Sequence, residues 1–200
     1  MTETSPALAR FRIILWALVA AVAIGASALF IFRPVNKPVG SFGGPFVLES
    51  TAGGTFSEAD LKGTPSLVFF GFTFCPDVCP TTLAETALWR TELDLDASEL
   101  RTIFVTVDPE RDDKAKLAEY LKSFDATAIG LVGTIEQTEA AKRAFGVFSE
   151  KVGEAGDPYY LVNHTANVFL IDANGAFQGT IAYGEAKETA LAKVRRLVGL

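Results

Sequence analysis

The stretch "SLVFFGFTFCPDVCPTTL", residues 66–83, decides how this chain reads. After Ser66, the run through Phe72 is apolar and aromatic without a break, which predicts a strand buried on both faces, as in a parallel sheet. Pro80 marks the opening of a helix expected over residues 80–95, because a proline at a helix start gives up an N–H that has no partner anyway. Between strand and helix stand Cys75 and Cys79, the only cysteines of the chain, four positions apart and each followed by a proline. A strand-to-helix loop is a place where helix N–H groups favour thiolate over thiol.

Working outward, residues 102–107, "TIFVTV", repeat the buried-strand pattern. A helix is expected over residues 112–124, with Leu117, Tyr120, Leu121 and Phe124 on one face. Residues 129–133 read as a short strand, and Thr134 then opens a Thr-x-x-Gln capping box. The helix it starts is expected to bury Ile135, Ala141, Phe145 and Phe148. "NVFLID" and "GAFQGTIA" flank Asn174-Gly175, a pair suited to a two-residue hairpin turn. Residues 186–200 close the chain as an amphipathic helix burying Leu191, Val194 and Val198. This β-α-β-α order, followed by a hairpin and a last helix, predicts a thioredoxin-like α/β fold. A flavodoxin-like sheet would share the alternation; the Asn-Gly hairpin favours the thioredoxin-like order.

Toward the N-terminus, residues 13–32 form an uncharged apolar run of the length that crosses a hydrocarbon core. Arg10 and Arg12 precede it, and Trp16 lies near one end, where its ring suits the interface. Ala26-Ser27-Ala28 offers the small-x-small pattern of a cleaved signal peptide, but the apolar run continues through Phe32, which favours an uncleaved anchor. The expected layout is a cytoplasmic tail (1–12), a transmembrane anchor (13–32), a Gly/Pro-rich tether (33–45) and one exported domain (46–200). In a bacterial cell this is a single-pass inner-membrane protein with its C-terminal domain in the periplasm.

A formal charge of −6 over 200 residues argues against a sequence-independent nucleic-acid binder, which needs a basic footprint. Two cysteines cannot frame a domain of this size with disulfides, so their role is local chemistry. They read in three ways: as small buried hydrophobes, as a redox dithiol, or as a clamp for a soft metal. A redox pair in a thioredoxin-like fold is expected as Cys-x-x-Cys; the extra residue here disfavours that use without excluding it. Two thiolates four apart can converge on one ion and select Cu(I) or Zn. Structural zinc wants four protein ligands, whereas Cu(I) accepts fewer. His164 is the chain's only histidine and the candidate third ligand, although a lone histidine also reads as an ordinary packed residue. Asp108, in "VTVDPERDD", lies at the end of a buried strand, the edge where ligands gather in open α/β sheets. It reads equally as a turn residue or as a group orienting a ligand.

Taken together, "GFTFCPDVCPTTL", "VTVDPERD" and "YLVNHTANVFLID" resemble the Sco/SenC family of membrane-tethered, thioredoxin-like copper proteins. The resemblance runs from about Phe46 to the C-terminus. It implies copper, as Cu(I) with Cu(II) as a second state, bound by Cys75, Cys79 and His164. It also implies a metallochaperone serving the binuclear copper site in the copper-bearing subunit of cytochrome c oxidase and loaded by a periplasmic copper donor, with thiol-disulfide oxidoreductase activity left open. The alternative use of Cys75 and Cys79 is as a redox-active pair that keeps the oxidase's copper-ligating cysteines reduced. Asp108, Glu110 and Arg111 fall in the family's Asp-Pro-Glu-Arg motif as residues shaping the site. Asn163 stands where the family commonly has Asp, a departure expected to alter the basicity of His164 or partner docking.

Overall fold

The structure, a computed structural model, describes Arg12, residues 14–20, Val22, Gly25, residues 44–154 and residues 157–200. The chain divides into two units, Met1–Val39 and Gly40–Leu200. In the first, the described residues are helical and exposed. Among the described residues no helix is long and apolar enough to cross a membrane. The tail expected over 1–12, the anchor over 13–32 and the tether over 33–45 lie largely outside the described residues.

The second unit is built on a seven-stranded sheet. Its strands are β1 (Val47–Ser50), β2 (Thr55–Ser57), β3 (Ser66–Gly71), β4 (Arg101–Thr106), β5 (Ile129–Val132), β8 (Val168–Ile171) and β9 (Phe177–Ile181), in the order β2-β1-β5-β4-β3-β8-β9. β3, β4 and β5 run parallel, while β8 lies antiparallel to β3 and β9 to β8. Helices α1 (Val78–Glu92), α2 (Lys114–Lys122) and α3 (Ile135–Phe145) make the connections, and α4 (Lys187–Val198) closes the chain. Two further strands, β6 (Ser149–Val152) and β7 (Leu161–His164), pair only with each other as a ribbon between α3 and β8.

β3 is buried at every position, as its sequence requires, and the alternation along it sorts two aromatic layers. Phe70 faces Phe145 of α3 (5.3 Å between ring centroids) and Phe169 (6.0 Å), and Phe145 also meets Phe169 and Phe46. Phe69 points to the other side, toward Phe104 and His164 (5.8 and 6.0 Å).

Several expectations change at element ends. α1 begins at Val78, not Pro80, so Cys79 lies inside the first helical turn. Pro80 is tolerated there because no N–H of the first turn has an intrahelical partner. The Thr134–Gln137 capping box forms reciprocally, and Gly146 ends α3 at φ 65°. That left-handed cap turns the chain, so Phe148 leaves the helical period and is 61% exposed. Ile135, the first residue of α3, is 51% exposed. Thr138 and Lys142 take buried positions on α3 beside Ala141 and Phe145. Ala190 and Val194 are buried on α4, while Leu191 and Val198 only pack against the core edge. The β8–β9 connection spans residues 172–176 rather than two residues, because Asp172 Oδ1 accepts from both Asn174 N and Ala176 N (2.8 and 2.9 Å). Gly175 supplies the left-handed residue, at φ 78°.

Phe145 joins three elements through its ring. Phe145→Ala is expected to lower stability by about 3–5 kcal/mol, read from a shifted urea midpoint at unchanged slope.

Candidate metal centre

The site starts where β3 runs out. Gly71 ends the strand against the thiol loop: a Cβ there would lie 2.7 Å from Cys79 Sγ and 2.9 Å from the Phe104 ring. Glycine is therefore what lets the buried sulfur sit against the strand. Thr73 then pins the loop: its N–H and hydroxyl both donate to the carboxylate of Asp112 (3.1 and 2.5 Å), which also accepts from the Thr106 hydroxyl at 2.6 Å. Asp112 is 2% exposed, so a buried carboxylate ties the loop to the end of β4.

The loop delivers Cys75, half-buried, and Cys79, buried; both are free thiols. The residue before α1, Asp77, makes no side-chain cap. The N–H of Cys79, one of the unpaired donors of the first turn, instead donates to Cys75 Sγ at 3.3 Å. The Cys75 thiol is drawn down to about 4, first by the hydrogen bond from the Cys79 thiol, against the cost of burial, with further help from His164 and the backbone N–H groups of Asp77 and Cys79. The Cys79 thiol is pushed up, by that same hydrogen bond to Cys75, by burial and by the neighbouring thiolate charge. The pair thus shares one proton, held on the buried sulfur.

His164 arrives from the far end of the chain on β7, opposite Ser149 of β6. Its Nδ1 lies 3.0 Å from the Thr165 carbonyl; because a carbonyl only accepts, Nδ1 donates in that bond, and Nε2 is the nitrogen turned to the thiols. Nε2 is 3.5 Å from Cys79 Sγ. The edges of Phe69 and Phe72 hold the ring, the latter at 5.9 Å and 89°. The donor atoms of Cys75, Cys79 and His164 all lie within 4.8 Å of one another. Two sulfurs and one imidazole nitrogen suit a soft ion of low coordination number.

The other residues singled out from sequence stand around this set. Asp108 is 1% exposed; its carboxylate accepts from Tyr160 Oη (2.6 Å) and Arg111 Nε (2.5 Å). Glu110 is paired with Lys151 on the surface. Asn163 is exposed, opposite Glu150, on the face of β7 that alternation turns away from His164. Beside the thiols, Phe72 is buried and Phe74 is half exposed, under Arg111 and Lys116. Sequence reasoning did not single out Asp112, Thr73, Gly71 or Tyr160. Asp112 and Asp113 are adjacent acids at a helix start; one is a buried staple and the other the N-cap of α2, accepting from Lys116 N at 2.8 Å.

A family model described as SCO1/SenC matches residues 35–199. The SCO2-like protein of Rickettsia felis is 36% identical over 174 residues, covering 80% of this chain and 85% of that protein. Among solved structures, Bradyrhizobium japonicum ScoI with copper bound is 38% identical at a TM-score of 0.71, covering 78% of this chain and 99% of that one. Yeast Sco1 with copper bound is 34% identical at a TM-score of 0.72, covering 80% and 89%.

The shared proton makes the thiols unequal. Iodoacetamide should modify Cys75 at a rate that stays flat from about pH 6 to pH 9, because a thiol depressed to about 4 is already ionised there. Cys79→Ala removes the strongest donor to that sulfur, so the rate should become pH-dependent over the same range. A wild-type rate that climbs tenfold per pH unit would refute the depressed thiol.

Proposed function

This chain belongs to the SCO1/SenC family, and from that premise we propose that it is a metallochaperone that carries one copper ion on Cys75, Cys79 and His164. The observation that carries the reading is the convergence of two sulfurs and an imidazole nitrogen within 4.8 Å, drawn from the start of α1 with the loop before it and from β7. The donor chemistry fits the cargo: three soft or borderline donors match Cu(I), whereas structural zinc wants a fourth protein ligand. Cys75 presents a thiolate before the ion arrives, and the ion displaces the proton held by Cys79. The Nδ1–H bond to the Thr165 carbonyl keeps Nε2 aimed at the ion.

The recipient is the binuclear copper site of cytochrome c oxidase, and a periplasmic protein is the copper donor. Residues 13–32 anchor the domain to a bacterial inner membrane, with residues 46–200 in the periplasm. Support for that placement is the uncharged run of residues 13–32 with Arg10 and Arg12 before it.

A second reading draws on the unequal thiols. A half-exposed thiolate beside a buried, protonated partner is the arrangement of an attacking and a resolving cysteine. Cys75 attacks a sulfur of an oxidised partner dithiol, and the partner's other sulfur leaves and is protonated. Cys79 then loses its proton and attacks Cys75 Sγ, releasing the second partner thiol and leaving a Cys75–Cys79 disulfide. The partner disulfide is reduced and this pair oxidised.

Reduced wild-type protein is expected to bind one Cu(I) per chain in competition with a chelator. Cys75→Ala, Cys79→Ala and His164→Ala should each lose about 100-fold or more in affinity, since losing a ligand costs at least as much as losing a group that orients one. An unchanged affinity in His164→Ala would sink that ligand assignment. In exchange with an oxidised dithiol peptide, His164→Ala should react like wild type and Cys75→Ala not at all; an inert wild type ends the reductase reading.

A further inference from the structure

The donors come from two segments with different support. The thiol loop is fastened to the central sheet through Asp112. His164 ends a four-residue strand of a ribbon that pairs with no other strand of the described structure, and a two-stranded ribbon is marginal without outside contacts. Its most extensive polar attachment runs through Arg111. Nη1 donates to the carbonyls of Tyr160 (2.8 Å) and Pro158 (3.3 Å), on the approach to β7. The guanidinium carbon stands 3.6 Å from the Tyr160 ring centroid. Nε donates to Asp108, whose other oxygen accepts the Tyr160 hydroxyl. The same guanidinium lies 4.9 Å from the ring of Phe74, the neighbour of Cys75, and 5.8 Å from Phe72, whose edge packs on His164.

We infer that Arg111 is the positioning residue that holds the His164-bearing strand against the thiol loop and so keeps the third donor within reach of the two sulfurs. It touches no donor atom and acts through Tyr160, Phe72 and Phe74. The task needs a planar fork that can donate in two directions while stacking on rings, which a lysine cannot do. A buried Asp108 explains why one cation is needed here, but not why it also bonds two carbonyls of the approach to β7. The consequence for copper rests on the reading proposed above; the consequence for the position of the ring does not.

Because the chain has one histidine, the imidazole NMR signals of the reduced, metal-free, full-length protein report His164 alone. In Arg111→Met they should move toward free-imidazole positions as the ring leaves the edges of Phe69 and Phe72. Alkylation of Cys75 should keep its flat pH profile, because Asp112 still pins the loop. Arg111→Lys should show the same displacement, and it becomes the deciding variant should Arg111→Met not fold, since it keeps a cation beside Asp108. With Cu(I) added, X-ray absorption should show imidazole scattering in wild type and its loss in Arg111→Lys, with both sulfurs retained. His164 signals at wild-type positions in both variants, or restored by lysine, would overturn the inference. A wild type without imidazole scattering would instead remove His164 from the copper reading and leave the NMR result standing.

Discussion

The N–H of Cys79 donates to the sulfur of Cys75, and much of the site's chemistry follows from that bond. A helix must do something with the donors of its first turn. Asp77 is placed to cap them and does not. The sulfur four residues back takes that place, which fixes the loop between the thiols and puts the helix's partial positive charge on Cys75. The same closeness makes the second proton hard to remove, so Cys79 keeps it. Spacing, capping and charge are thus one arrangement at the start of α1.

Two buried carboxylates then divide the work of holding the ligands. Asp112 spends its oxygens on Thr73 and Thr106 and fastens the thiol loop to β4. Asp108, four residues earlier, spends its own on Arg111 and Tyr160 and belongs to the histidine side. Their backbones are joined as well, Asp112 N donating to the Asp108 carbonyl at 3.0 Å. A single turn after β4 thus serves both halves of the donor set, and neither buried charge is left without hydrogen bonds, which would be costly.

The parallel core was legible because β3 and β4 are buried on both faces, and apolar runs record that directly. The capping box of α3 was legible for a similar reason: Thr134 and Gln137 carry their own geometry. The ribbon was not. "SEKV" of β6 has three exposed residues and no apolar alternation, so nothing local marks it as a strand. With β6 unread, the placement of His164 opposite Ser149 could not be derived, and its nearness to a thiol 85 residues away rested on composition and on resemblance. Periodicity likewise placed Phe148 inside because it carries no information about where Gly146 stops the helix. The stapling role of Asp112 could not be told from the capping role of Asp113, since burial separates them and sequence does not.

In the carrier role proposed above, an ion must be held against water and yet given up, and the unequal support of the donors bears on that. The two sulfurs belong to one loop and one helix start, so they move together or not at all. Among the described residues, the ribbon that carries the imidazole is tied to the rest of the domain by a guanidinium fork, the Lys151–Glu110 ion pair, ring contacts and the packing of Val162. If one donor is to leave first as a partner's ligands enter, the one on the separately attached element costs least to move. On the proposed reading, that loss would take a bound Cu(I) from three donors to two, a number Cu(I) accepts.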